Sequence, residues 1–173
     1  MSIQNIIFLV VIALVVGYFY KMKKPKYNKG ISAPNFIGQD LKGQSFELKD
    51  FRGKYVYLDF WGSWCGPCRA IRPHLVKVYE DYHDKSFEDA SGFEVISVAM
   101  ERKAGQWRPV AEQEGMTWPH QFSTLQKEGQ IVSELYGVKS IPSGYFIGPE
   151  GQVLLNRPQM SEMSDYLSEK LSK

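Results

Sequence analysis

Hydrophobic and polar positions fall along this chain in blocks whose lengths name their secondary structure. From Ile3 to Tyr20 nearly every residue is apolar, about the length a helix needs to span a bilayer core. Tyr18, Phe19 and Tyr20 end the run with the aromatic group common at membrane interfaces. No Lys or Arg precedes it and no small-x-small pattern follows, which favours an uncleaved anchor over a secretory signal. The polar stretch Lys21 to Gly30, with Pro25 inside it, reads as a solvated basic linker near lipid headgroups. The chain thus divides into an anchor over 1–20, a linker over 21–31 and a folded domain over 32–173.

Within the domain, short strands at Asn35–Ile37 and Ser45–Leu48 flank the turn-like Asp40-Leu41-Lys42-Gly43 and predict a hairpin. Tyr55–Trp61 (YVYLDFW) is a near-continuous apolar run, the pattern of a strand buried on both faces. Ile71, Leu75, Val78 and Tyr82 then recur at helical spacing, predicting a helix over Cys65–Tyr82 that Pro73 bends without ending. Phe93–Met100 is a second buried strand. Gln106–Glu114 and Glu128–Tyr136 read as helices stopped by Gly115 and Gly137. Gly144–Ile147 and Gln152–Leu155 bracket Gly148-Pro149-Glu150-Gly151, a second hairpin. Ser161 is placed to cap a last helix that turns Met163, Tyr166, Leu167 and Leu171 inward. Strands alternating with helices imply an α/β domain, a partly parallel sheet covered on both faces.

Composition changes this picture little. With 173 residues, 43% apolar and 23% charged, the chain supports one domain and a short appendage. A net charge of +2, much of it in the Lys21–Lys29 run, gives no nucleic-acid footprint. The cysteine count matters more. There are two, Cys65 and Cys68. A bridge between them closes almost no loop and makes a poor structural staple. A zinc site would need two of His74, His83 and His120, and no repeated Cys or His spacing supports one. Reactivity is the better reading.

Cys65-Gly66-Pro67-Cys68 follows a buried strand and opens a helix. At a helix N-terminus the unpaired amides and the dipole stabilise an anion, so the Cys65 thiol is expected to be acidified. Pro67 suits a first turn. Cys68, one turn further in, is expected to be less exposed and to resolve a mixed disulfide formed on Cys65. Asp59, inside YVYLDFW, must be paired or have its charged form disfavoured by burial. The strand Phe93–Met100 offers no lysine to pair with it. Trp64 is expected on the rim of the site, and Trp61 fits rim or core. Trp107 and Trp118 read as packing residues, and His74 as a surface residue. Arg69 and Arg72 would add positive charge near the dithiol, weakened by solvent screening.

The stretch Asp59-Phe60-Trp61-Gly62-Ser63-Trp64-Cys65-Gly66-Pro67-Cys68-Arg69 closely resembles the active site of thioredoxins. The wider chain, Ser32 to Lys173, resembles the membrane-anchored TlpA/ResA branch: a leading hairpin over Ala33–Leu48, an extra strand-helix unit, and a late Ile-Pro before a hairpin. The resemblance implies a thioredoxin-like fold carried by a transmembrane helix. It implies a thiol-disulfide oxidoreductase with Cys65 and Cys68 catalytic and Asp59 relaying the proton of Cys68. Ile141-Pro142 matches the superfamily's cis-proline, beside which an extended substrate pairs. Trp64, Gly66, Pro67, Ile141 and Pro142 are therefore the expected substrate-binding residues. ResA-like proteins tend to carry an acid three positions after the second cysteine, where this chain has Ile71. Ser143 stands where a threonine is common.

The Gly-Pro pair between the cysteines resembles reducing members, implying a monomeric reductant of protein disulfides in cytochrome c maturation or envelope thiol repair. It would use no organic cofactor or metal and draw electrons from a partner thiol protein. Two other classes compete. A peroxiredoxin-like peroxide reductase needs a threonine three residues before its cysteine, where this chain has Gly62. A Sco-like copper-binding factor needs three residues between its cysteines and a distant histidine; here two intervene, and His120 is the late candidate. The family places the domain outside the cytoplasmic membrane, in the periplasm, whereas Lys21, Lys23, Lys24, Lys26 and Lys29 after the span favour the cytoplasmic side.

Overall fold

The computed structural model describes residues 3–23 and 26–172. Met1 and Ser2 of the expected anchor, Lys24 and Pro25 of the expected linker, and Lys173 lie outside the described residues. The first helix, α1, is Ile3–Lys23. Its side chains are described from Ile3 to Tyr18, all of them exposed. Among the described residues no helix is long and apolar enough to cross a membrane. The described part of the expected span, from Ile3, is thus helical without being shown as a crossing.

The domain follows the hydrophobic blocks closely. β1 (Ile37–Gln39) and β2 (Ser45–Glu47) pair antiparallel as the leading hairpin. β3 (Tyr55–Trp61) is buried at every position. It leads into α2 (Gly66–Tyr82), which contains Pro73. β4 (Phe93–Ala99), α3 (Trp107–Gln113), β5 (Gln121–Ser123), α4 (Lys127–Leu135), β6 (Ser143–Ile147), β7 (Val153–Asn156) and α5 (Met160–Glu169) complete the chain. The main sheet has order β5-β4-β3-β6-β7. β5, β4 and β3 are parallel, while β6 and β7 are antiparallel to their neighbours.

Alternation along β3 sorts two cores onto the two faces of this sheet. Tyr55, Tyr57 and Trp61 pack with Cys68, Leu75 and Tyr79 of α2, Trp107 and Ala111 of α3, and Met163 and Leu167 of α5. Val56, Leu58 and Phe60 pack on the other face with Val132 and Tyr136 and with Phe36 and Leu48 of the hairpin region. Trp107 and Trp118 are core residues, 6% and 0% exposed.

Three readings are corrected. β5 went unseen because three residues, two of them polar, carry no periodicity. Gln121 can stay buried there because its amide nitrogen donates to the carbonyls of Met116 and Trp118 at 2.9 and 2.7 Å. Ser161 does not cap α5: Gln159 holds the cap position with extended backbone and no side-chain cap bond. The helix starts early enough for Met160 to enter the core, 9% exposed, which leaves Ser161 exposed in the first turn. Finally, the residues read as a solvated linker lie on the domain from Lys26 onward. Ile31 accepts from Val153 N–H and Gly30 donates to Val153 O, both at 2.8 Å. Tyr27 packs edge-on to Tyr136 and Tyr145, and its carbonyl accepts from Asn156 Nδ2 at 2.5 Å.

Candidate redox site

The site forms where β3 runs out and α2 begins. Cys65 is the N-cap of α2, with extended backbone (φ −91°, ψ 97°), and its Sγ accepts the Cys68 N–H at 3.2 Å. Residues of that geometry leave the first-turn amides aimed at the cap side chain, so the sulfur takes the place a Ser or Asp oxygen fills in other helices. Cys65 and Cys68 are joined as a disulfide with Cα atoms 5.3 Å apart. Cys65 is 4% exposed and Cys68 0%, which is the order expected of an attacking and a resolving sulfur. The loop into Cys65 is tight: Cys65 N–H donates to Gly62 O at 3.0 Å.

Ile141-Pro142 is a cis peptide bond. It sits against the cysteine loop, since a Cβ added at Gly62 would stand 3.0 Å from Ile141 Cδ1 and 3.0 Å from Trp64 Nε1. Trp64 is 45% exposed, with its indole N–H bonded to Met100 O at 2.8 Å and the Arg102 guanidinium 3.9 Å from its ring centroid. Trp61 is core, 1% exposed. Beside the cis-proline a groove of about 580 Å³ runs between α2 and the start of α5, lined by Tyr57, Ile71, His74, Pro142, Gly144 and Met160. Burial pushes the Tyr57 hydroxyl's pKa well above its ordinary value, with the Asp59 charge adding to the effect.

Beneath the dithiol lies a charge chain that departs from expectation. Asp59 is 2% exposed, and its Oδ2 accepts from Arg72 Nη1 at 3.0 Å and from Ser97 Oγ at 3.1 Å. Trp118 Nε1 in turn donates to Ser97 Oγ at 3.0 Å. The cationic partner missing from β4 comes from α2, four residues after Cys68 on the same helix face. Arg72 is therefore no screened surface charge: it is 2% exposed and its guanidinium lies 4.6 Å from the Trp61 ring centroid. Its Nε is 3.6 Å from Glu114 Oε2, an ion-pair contact too long for a hydrogen bond. Arg69 is also engaged, its Nε bonded to Glu114 Oε1.

Glu101 was missed by the sequence reading. It is 7% exposed, just past β4, and bonds Ser63 through both carboxylate oxygens. A usable signal existed: an acid at the end of an apolar run that pairs in parallel with the strand bearing the cysteine loop. His120 falls elsewhere, level with mid-β4, its ring edge-on to Phe46 and Phe51. His74 is exposed on α2. Among the described residues no group of three or more His, Cys, Asp or Glu is placed to hold a metal ion.

A parallel-then-antiparallel sheet, a dithiol at the cap of the helix after its central strand, and a cis-proline against that loop define a thioredoxin-fold disulfide exchanger. The chain belongs to the AhpC/TSA family, whose pattern it matches over residues 30–155. It is 32% identical over 164 residues to the thiol-disulfide oxidoreductase ResA of Bacillus thuringiensis subsp. konkukian, covering 89% of this chain and 88% of that one. The ResA of Halalkalibacterium halodurans is 30% identical over 150 residues, covering 84% of this chain and 80% of the relative. Among solved structures, the thioredoxin domain of a Bacteroides vulgatus thiol-disulfide oxidoreductase is 30% identical with a TM-score of 0.71, covering 83% of this chain and 98% of that one. A DsbE-type thiol:disulfide interchange protein from Chlorobium tepidum is 32% identical with a TM-score of 0.66, covering 83% and 97%. The chain is a thiol-disulfide oxidoreductase.

Proposed function

We propose that the protein works as a reductant of protein disulfides, with Cys65 as nucleophile and Cys68 as resolving thiol. The observation that carries the assignment is the Cys65 sulfur accepting the Cys68 N–H at the cap of α2, because unpaired helix amides stabilise the thiolate that attacks. The Cys65 thiolate attacks a substrate sulfur, forms a mixed disulfide and expels one substrate thiolate. Cys68 then loses its proton and attacks Cys65 Sγ, expelling the second substrate thiolate and leaving the Cys65–Cys68 disulfide. Two electrons pass to the substrate, and a partner thiol protein returns them. Asp59, on the core face that holds Cys68, is the group assigned to take the Cys68 proton. The Gly66-Pro67 pair, as in reducing thioredoxins, supports the direction.

Trp64, Gly66, Pro67, Ile141 and Pro142 are assigned to substrate binding, and the groove beside Pro142 supports an extended polypeptide as the occupant. Peroxide reduction is disfavoured at one atom. Where a peroxiredoxin places threonine, a side chain at Gly62 would start 3.0 Å from Ile141 Cδ1 and from Trp64 Nε1, a tight fit that these side chains would have to yield to. Membrane attachment outside the cytoplasm is supported by the apolar Ile3–Tyr20 sequence and by the ResA resemblance, against the lysine cluster after it.

Cys68→Ser is expected to trap a mixed disulfide on Cys65 with a disulfide-bonded substrate, while Cys65→Ser traps none. Non-reducing electrophoresis after acid quenching reads the outcome. Equal trapping by both variants would contradict the division of roles.

A further inference from the structure

The parallel register of β3 and β4 sets Trp61 opposite Ala99, so the residues that follow each strand emerge side by side at the same edge. Met100 N–H donates to Trp61 O at 2.7 Å, continuing the pairing one step past the sheet. The residues that follow the two strands then meet. Glu101 Oε1 accepts the Ser63 N–H at 2.7 Å and Oε2 accepts the Ser63 hydroxyl at 2.9 Å. Met100 O takes the Trp64 indole N–H, and Arg102 covers the Trp64 ring. Glu101 is itself pinned, its N–H donating to Ala99 O at 3.0 Å and to Thr124 Oγ1 at 3.1 Å.

A carboxylate at 7% exposure is costly to bury without compensation, and both of its oxygens are spent on one residue. Ser63 presents two donors there, the backbone N–H and the hydroxyl, and an ionised carboxylate is the side chain that offers acceptors alone. Charge-assisted bonds of this kind are short and strong. Ser63 lies between Gly62, whose carbonyl receives the Cys65 N–H, and Trp64, so its position fixes the turn from which the Cys65 sulfur projects.

We propose that Glu101 is a positioning residue for exchange at Cys65: by holding both donors of Ser63 it fixes the Gly62–Cys65 turn, so that the sulfur meets a substrate disulfide in line. It touches neither sulfur and acts through Ser63. The inference rests on Cys65 being the nucleophile. In-line attack is sensitive to placement, and a displacement near 1 Å in a reacting group can cost about a hundredfold in rate.

The test compares Glu101→Ala with Glu101→Gln in the full chain. Glutamine keeps the shape and both bonds, its oxygen accepting the Ser63 N–H and its amide donating to the Ser63 hydroxyl, while the charge is lost. Rates of insulin disulfide reduction by the reduced protein, rates of iodoacetamide alkylation and thermal midpoints are measured together. Glu101→Ala is expected to lose roughly tenfold or more in the exchange rate and much less in alkylation, since a small freely diffusing reagent does not require in-line placement. Glu101→Gln is expected to stay within about threefold of the parent, which separates the bonds from the charge, while Ser63→Ala, which leaves the Glu101 side chain in place, separates them from its packing. Ser63→Ala, which removes one of the two bonds, falls between them. An exchange rate for Glu101→Ala within about twofold of the parent overturns the proposal, and so do equal losses in Glu101→Ala and Glu101→Gln, because charge would then be the cause. If Glu101→Ala does not fold, Ser63→Ala decides, and a parent-like rate in it overturns the proposal. A parent protein that fails to reduce insulin points instead at the assigned reducing role, and alkylation that persists in Cys65→Ser points at the assigned nucleophile.

Discussion

Asp59 and Arg72 share one buried bond with very little water around either side chain, 3% and 2% exposed. Removing one partner of such a pair leaves the other charge desolvated and unmatched, at a typical cost of about 3–5 kcal/mol. Arg72→Met is therefore expected to lower stability by an amount in that range, read from urea unfolding of the oxidised protein. Arg72→Met combined with Asp59→Asn should recover part of the loss, because the orphaned charge is gone. Equal stability of Arg72→Met and the parent would contradict the placement of this pair. The sequence made Asp59 conspicuous, as a carboxylate inside an apolar strand, but hid its partner. Only the docking of α2 across β3 brings a residue four past Cys68 onto that carboxylate. For the same reason Arg69 and Arg72, read as screened surface charges, turn out to be spoken for by Asp59 and Glu114.

His120 gives a pH dependence of known sign. Burial between Phe46 and Phe51 lowers its pKa, and the opposing pull of the Glu94 and Asp40 carboxylates is the smaller effect. The unfolded chain, with an ordinary value of about 6.5, binds more protons than the folded one as pH drops below neutrality. The stability this residue contributes is thus fully present above that value and is lost as pH falls through it toward the folded pKa. His120→Phe, which keeps an aromatic ring in the box, should show a smaller drop in urea midpoint between pH 7.5 and pH 5 than the parent. An identical drop in both would remove His120 as its source.

At the scale of elements, the strands and helices that position the dithiol were legible in the pattern. β3 coincides with YVYLDFW, and α2 begins one residue after the position predicted for it. Both are long, with a strong apolar signature, β3 because both of its faces are buried and α2 because one of its faces is. What stayed hidden was short or decided by contacts distant in sequence: β5, the cap of α5, and the Lys26–Ile31 segment. That segment looks like linker because it is polar and breaker-rich, yet the backbone groups of Gly30 and Ile31 pair with Val153 of β7. The domain therefore extends to Lys26 in structural terms. A chain beginning at Ser32 loses the Tyr27 ring packing and the Gly30 and Ile31 bonds. It is expected to melt several degrees below one beginning at Lys26, given roughly 2–4 °C per kcal/mol for a domain of this size. Matching thermal midpoints for the two chains would show that the segment adds nothing.

For the molecule as a whole, the fold delivers four things to one edge of the sheet: a helix N-terminus under Cys65, a buried Cys68, a cis-proline beside an open groove, and a clamp from the end of β4. The first three were legible as residues in the sequence, because CGPC between strand and helix and the late Ile-Pro carry their context with them. The fourth was not, since Glu101 gains its meaning from the β3–β4 register. Together they describe a protein built to exchange electrons through one dithiol; the reducing direction is the proposal made above.

The reduction potential of the Cys65–Cys68 couple tests that account most directly. It is read by equilibrating the protein in graded dithiothreitol buffers, with Cys65→Ser as the blank. A midpoint near or below that of thioredoxin, about −270 mV, is the expected result and means the protein delivers electrons and needs a strong thiol donor. A midpoint near −120 mV, the region of a strong disulfide-forming oxidant, would contradict the reducing assignment.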